Sequence, residues 1–159
     1  MFGRRIILSV VAVVGITAAY GQEAVSSTHT ISLPPAGIGS TETMQVTVTN
    51  LAPNGNNNTA ASCTGSVSFL NSNGATIGTA TTYTAAAGQS VDVKLAFANA
   101  ASSGTRADVR AVIAATQTAG TPCVLAYSLQ TYDTSSGVTH LYLASAPSGV
   151  GPVVISFGR

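Results

Sequence analysis

The chain has 159 residues, of which 45% are hydrophobic and only 7% are charged, whereas charged residues make up about 25% of an average globular domain. Its formal net charge is +1, so it lacks the basic surface that binds a phosphate backbone, and we expect no nucleic-acid partner. The length fits one domain with a hydrophobic core of its own.

Residues 1–21 have the pattern of a secretory signal peptide. A pair of arginines precedes an apolar run at 6–16, and small residues then stand at the −3 and −1 positions of a cleavage site at Gly21. The alternative, a membrane anchor, needs roughly 20 apolar residues. We therefore expect cleavage near Gly21 and a mature domain, residues 22–159, without a membrane span. That domain would be secreted, periplasmic or held at the cell surface.

Cys63 and Cys123 both lie in the mature chain. Two cysteines in an exported protein most simply form one disulfide. It would close a loop of 60 residues, a constraint that contributes about 4 kcal/mol in the chain-entropy model. A two-cysteine metal site is the alternative, but neither His29 nor His140 stands at ligand spacing from a cysteine. We expect the disulfide, and neither a metal nor another cofactor.

From residue 28 onward the chain alternates apolar and polar residues between turn signals, which is typical of all-β proteins. The predicted strands, in chain order, are 28–33, 43–50, 63–69, 75–83, 91–97, 106–116, 123–129, 138–143 and 153–157. Between the third and fourth strands, a three-residue loop with Gly74 in the left-handed conformation would place Phe69 opposite Ile77.

Charges on two of these strands predict a register. Asp92 and Lys94 alternate on one strand, and Asp108 and Arg110 on the next. If the two strands are antiparallel neighbours, one alignment places Asp92 opposite Arg110 and Lys94 opposite Asp108. The alternative is a connection that crosses to the other sheet.

About nine short strands in one domain bury their apolar faces best in two packed sheets. We therefore expect an all-β fold, an antiparallel two-sheet β-sandwich that is immunoglobulin-like in architecture. Two features depart from a strict immunoglobulin topology: Trp is absent, and the residues after Cys63 enter a tight hairpin.

Four segments resemble a group of proteins. The segments are CTGSVSFLNSNGATIG, AAAGQSVDVKLAF, RADVRAVI and PCVLAYSLQTYDTSSGVTHLYL. They are similar to small secreted β-sandwich proteins of environmental bacteria, notably acidobacteria, over most of residues 60–145. The resemblance implies the fold and export of the chain, and it brings no functional residues.

The sequence carries no catalytic signature. It has no Gly-x-Ser-x-Gly motif, and His29 and His140 are its only imidazoles. Its five acidic residues stand in turns, near the N-terminus or at outward strand positions, so no converging pair of carboxylates is expected. We expect no enzymatic activity and no catalytic residues.

One predicted surface has the chemistry of a binding site. Alternation across the turn at 133–137 places four residues on one outer face: Gln130, Tyr132, His140 and Tyr142. Two phenol rings, an imidazole and an amide can stack on a sugar ring or dock a protein. The alternative is that these residues merely cover the sheet, since tyrosine suits strands in any case.

The sequence thus favours a secreted, non-catalytic β-sandwich module that works in surface adhesion or extracellular structure. Its partner would be a glycan or another cell-surface protein. Two alternatives remain: a carbohydrate-binding module, and a filament subunit that self-associates by strand addition at an open sheet edge.

Overall fold

The computed structural model describes residues 26–52, 62–100, 104–118, 123–145 and 154–156. The predicted signal peptide, 1–21, lies outside the described residues. The elements of the described part are β1 (Ser26–Ser32), β2 (Ala36–Gly39), β3 (Glu42–Asn50), β4 (Cys63–Asn71), β5 (Thr76–Ala85), β6 (Ser90–Ala96), α1 (Phe97–Ala100), β7 (Arg106–Thr118), β8 (Leu125–Asp133), β9 (Thr139–Ser145) and β10 (Val154–Ser156).

The strands form two antiparallel sheets. Sheet A has the order β1-β7-β4-β5, and β2 also pairs with β7. Sheet B has the order β10-β9-β8-β3-β6. β1 and β2 are two parts of one edge strand that is interrupted near Pro34 and Pro35, because proline cannot donate a ladder hydrogen bond. The predicted all-β, two-sheet antiparallel sandwich is confirmed, whereas an immunoglobulin-like architecture stays a prediction.

The core lies between the sheets and follows the predicted alternation. In sheet B, Met44, Val46 and Val48 of β3 are fully buried, and in sheet A Val109 and Ile113 of β7 are fully buried. Buried residues of both sheets belong to one hydrophobic cluster. Because successive strand residues point to opposite faces, the residues between them lie on the outer faces of the sandwich.

The hairpin between β4 and β5 has the predicted geometry. Phe69 pairs with Ile77, and Gly74 has a φ of 79°. The side-chain oxygen of Asn71 accepts hydrogen bonds from the amides of Asn73 and Ala75, both at 3.0 Å. This turn chemistry fixes the hairpin locally, which is why it was predictable.

The predicted pairing of Asp92 with Arg110 is wrong. β6 pairs with β3 in sheet B, while β7 lies in sheet A. The connection that contains α1 therefore crosses from one sheet to the other. Asp92 instead lies opposite Thr47, whose hydroxyl donates to the carboxylate at 2.7 Å. Each exposed charge pair contributes only about 0.2–1 kcal/mol, too little to override the burial of two apolar strand faces.

The two sheets are linked covalently. Cys63, the first residue of β4, forms a disulfide with Cys123, which shortly precedes β8. Their Cα atoms are 5.7 Å apart, and both cysteines are buried in the core. The predicted disulfide is confirmed, and it joins sheet A to sheet B. Within the described part of the chain, no helix is long and apolar enough to cross a membrane.

Candidate functional site

Three of the four predicted site residues are neighbours on the outer face of sheet B. Gln130 of β8 pairs directly with Tyr142 of β9, and Tyr132 is two residues further along β8, on the same face. Tyr142 is 38% exposed, and Gln130 and Tyr132 are half-buried. We name Gln130, Tyr132 and Tyr142 the tyrosine face.

This face rests on the middle of sheet B. Thr43 and Gln45 of β3 pair with Tyr132 and Gln130, and they are only 7% and 9% exposed although they alternate with core residues. The outer side chains of the flanking strands therefore cover the centre of the sheet. β8 is also hydrogen-bonded on both sides, to β3 and β9, so two of the three residues stand on an interior strand.

The fourth predicted residue, His140, lies at an irregularity in β9. Thr131 pairs with Leu141, but the next residue of β8, Tyr132, pairs with Thr139. His140 is therefore the extra residue of a β-bulge, which redirects side chains locally. The bulge contains neither glycine nor proline, so no local residue pattern predicts it.

The His140 ring is bonded to a carboxylate instead of standing free beside the tyrosines. Its Nδ1 atom forms a hydrogen bond with Oε1 of Glu42. The other carboxylate oxygen of Glu42 accepts the Gly39 amide at 2.6 Å. Because Gly39 ends β2 of sheet A, this contact set connects the two sheets at the β2–β3 turn.

Burial raises the pKa of the Glu42 carboxyl, but several contacts together bring it below its ordinary value. These contacts are the hydrogen bonds from Gly39 and His140 and the positive charges of His140 and Arg106. Glu42 is thus held as a carboxylate by its surroundings. That suits a structural link better than a general acid, which needs a raised pKa.

Asp133 is the second carboxylate at this end of sheet B. Its pKa is held well below its ordinary value by the Ser135 hydroxyl, the Ser136 amide and the Thr41 hydroxyl. The Ser135 hydroxyl donates at 2.6 Å and the Thr41 hydroxyl at 2.8 Å. The carboxylate therefore organises the turn that leads into β9.

Two further tyrosines are internal. Tyr83 and Tyr127 are both buried. Burial and the neighbouring Tyr83 raise the pKa of Tyr127 to about 12, and burial raises the pKa of Tyr83. The Tyr83 hydroxyl lies 2.6 Å from the place that a Cβ atom on Gly65 would occupy. A side chain at Gly65 would therefore displace this ring.

In the described ranges, no three His, Cys, Asp or Glu side chains come together in a group that could hold a metal ion. Comparison with protein-family models, curated proteins and solved structures finds no match to this chain. The resemblance to secreted acidobacterial proteins therefore stays a prediction.

Proposed function

We propose that the protein is a secreted, non-catalytic β-sandwich module that works in surface adhesion or extracellular structure. The observation that carries this proposal is the tyrosine face. Gln130 and Tyr142 are cross-strand partners beside Tyr132, so two phenol rings and an amide share one face. Aromatic rings with a polar tip are favoured at binding surfaces, because one side chain offers both apolar area and hydrogen bonds.

The state of the nearby ionisable groups supports a non-catalytic role. His140 and Glu42 bond to each other, and Asp133 accepts several hydrogen bonds within its own turn. A general acid or base must reach the proton that it transfers in a substrate. The Glu42 and Asp133 carboxylates are instead used by contacts within the protein.

The composition of the outer face of sheet A supports the proposed extracellular role. Thr28, Thr116, Thr64 and Thr84 form a continuous row across all four strands of the sheet's order. Hydroxyl groups hydrate a surface without charge repulsion, so they oppose association with neighbouring molecules only weakly. The disulfide between the sheets is compatible with an oxidising extracellular compartment.

A carbohydrate-binding module is the second candidate, and the exposure of Tyr142 favours it because a sugar ring stacks on an accessible phenol. A filament subunit is the third. β5 is an edge strand of sheet A, and its ten residues include neither a charged residue nor proline. A bulge near Gly78 interrupts the pairing of β5 with β4, so the regular part of the edge, Thr81 to Ala85, is the template for strand addition.

The test is a depletion assay on insoluble neutral polysaccharides, with cellulose and chitin as the solids. We expect at least one solid to retain the wild-type protein, and the double variant Y132A/Y142A to bind about tenfold more weakly, because each lost aromatic contact contributes about 0.5–1.5 kcal/mol. The single variant Y142A should keep a melting temperature close to that of the wild type, since exposed positions usually change stability by less than about 0.5 kcal/mol. The double variant also loses the half-buried Tyr132, so its binding is compared at a temperature well below its own melting temperature.

The matched control is T82A/T84A, which removes two exposed side chains from the other sheet and should bind like the wild type. Equal losses in both double variants would contradict a role for the tyrosine face. No retention by any solid, together with light scattering that rises with protein concentration, would favour the filament subunit over both binding functions.

A further inference from the structure

A cleft of about 540 Å³ opens on the outer face of sheet A. The tyrosine face lies on the other sheet. Its lining includes Arg106, Asp108 and Arg110 of β7, Asn71 and Gly74 of the β4–β5 turn, and Gly37 of β2. The three charged residues alternate with the buried Val109 and its neighbours, so they form one column on the outer face.

The two arginines of the cleft differ in their surroundings. Nε of Arg106 lies 3.7 Å from Oδ1 of Asp108, and its charge also acts on Glu42. Arg110 has neither an ion pair nor a hydrogen bond with any residue of the described chain. Its guanidinium group therefore keeps all five donors for a ligand, in the fork that fits a carboxylate.

Because Gly37 has no side chain, the guanidinium group of Arg106 can pack against the β2 backbone and form part of the cleft wall. A Cβ atom on Gly37 would collide with the guanidinium group of Arg106, so the arginine lies directly over the β2 backbone. On the opposite side of the cleft, the side-chain oxygen of Asn71 already accepts hydrogen bonds from the backbone amides of Asn73 and Ala75. Only the NH₂ group of Asn71 is left to face a ligand, and it is a donor.

The chemistry of the cleft selects the class of ligand. Two guanidinium groups and an amide offer donors to an anion, while the Asp108 carboxylate accepts hydrogen bonds from hydroxyls. β7 is hydrogen-bonded on both sides, to β2 and β4, so a peptide cannot add here as a strand. A cleft of this volume falls in the range of small-ligand sites, about 300–1,000 Å³.

We propose that this cleft binds an acidic sugar, with the Arg110 guanidinium on the sugar carboxylate and the Asp108 carboxylate on its hydroxyls. The ligand class is a uronic acid residue within an oligosaccharide. The site is on the opposite sheet from the tyrosine face and goes beyond the proposed function. Each site can therefore fail without the other.

The test is an amide NMR titration of the protein with an oligogalacturonide, and in parallel with a neutral galactan oligomer of equal length. We expect the acidic oligomer to shift the amides of Gly37, Asn71 and Gly74, and the neutral one to leave them in place. R110Q should weaken binding at least about fivefold, because it removes the charged bidentate contact. The affinity of R110K should lie between those of the wild type and R110Q, since lysine keeps the positive charge but cannot make the bidentate contact.

The matched control is K94Q, which removes one positive charge from sheet B and should bind like the wild type. In the same titration the amides of Gln130 and Tyr142 should stay in place, which separates this site from the tyrosine face. The proposal is overturned if the cleft amides do not shift, if K94Q weakens binding as much as R110Q, or if the neutral oligomer binds equally well. Equal binding of inorganic phosphate or of an acidic peptide would likewise overturn it, because the cleft would then select charge and not a sugar.

Discussion

Asn50 is a polar residue at the centre of the link between the two sheets. It is fully buried, and its Nδ2 atom donates to the Ala85 carbonyl at 3.1 Å, across from β3 to β5. Its Oδ1 atom accepts the Ala52 amide at 3.1 Å. Ala85 pairs with Cys63, so Asn50 and the disulfide join the sheets at the same end of the sandwich.

We expect N50A to lower the free energy of unfolding by about 1–3 kcal/mol, because the substitution leaves the buried Ala85 carbonyl without its side-chain donor. Urea denaturation followed by circular dichroism measures this change. The adjacent T49A is the control: among the described residues, the Thr49 hydroxyl has only the exposed Ser90 hydroxyl as its hydrogen-bond partner, and its loss should cost less than about 0.5 kcal/mol. Equal stability of the two variants would contradict a linking role for Asn50.

At the residue scale, local patterns predicted what depends on neighbours in sequence. The alternation around Val46 and Ile113 predicted their burial, and the turn residues around Gly74 predicted the Phe69–Ile77 pair. The role of Asn50 was not predictable, since an asparagine before a proline-containing loop is an ordinary turn residue. Its inward position follows the parity of Val46 and Val48 on β3, but its hydrogen bond to Ala85 comes from β5 of the other sheet, which no local pattern indicates.

The elements β8 and β9 show where prediction of the candidate site succeeded and where it failed. Alternation on β8 correctly placed Gln130 and Tyr132 together, and pairing brought Tyr142 beside them. His140 was predicted to lie on the same face, and the structure places it at the bulge, where it bonds to Glu42. That bond depends on β3, which is distant in sequence, so no pattern within β9 encodes it.

Glu42 should make stability depend on pH. Its folded-state pKa lies below the ordinary value of 4.5, so folding favours the carboxylate. This stabilisation is present above the ordinary pKa and is lost as the pH falls through the folded-state pKa. We expect the melting temperature of the wild type to exceed that of E42Q near neutral pH, and the difference to narrow below about pH 4.

Melting temperatures measured by circular dichroism from neutral pH down to about pH 2 check this expectation. Asp133, whose pKa is also lowered, keeps its own acid dependence in E42Q, so the variant should still lose stability in acid, but less than the wild type. D92N is the control, because Asp92 lies at an exposed position of β6, away from the Glu42 contacts. Parallel profiles for the wild type and E42Q would contradict the role given to Glu42.

For the whole molecule, the fold class was predictable and the strand order was not. Period-two alternation and frequent turns are local properties, and they indicated a two-sheet sandwich. The choice of sheet for β6 and β7 depends on how α1 and its flanking residues cross between layers, which outward charges such as Asp92 and Arg110 influence only weakly. The two sheets are joined at both ends of β3, by Asn50 and the disulfide at one end and by Glu42 at the other.

The central claim is that this disulfide-linked sandwich works outside the cytoplasm. Peptide mass mapping without reduction, on protein recovered from its native host, tests it most directly. We expect an N-terminus at or near Gln22 and a single cross-linked pair of peptides that contain Cys63 and Cys123. Retention of Met1, together with alkylation of both cysteines before any reductant is added, would contradict the claim.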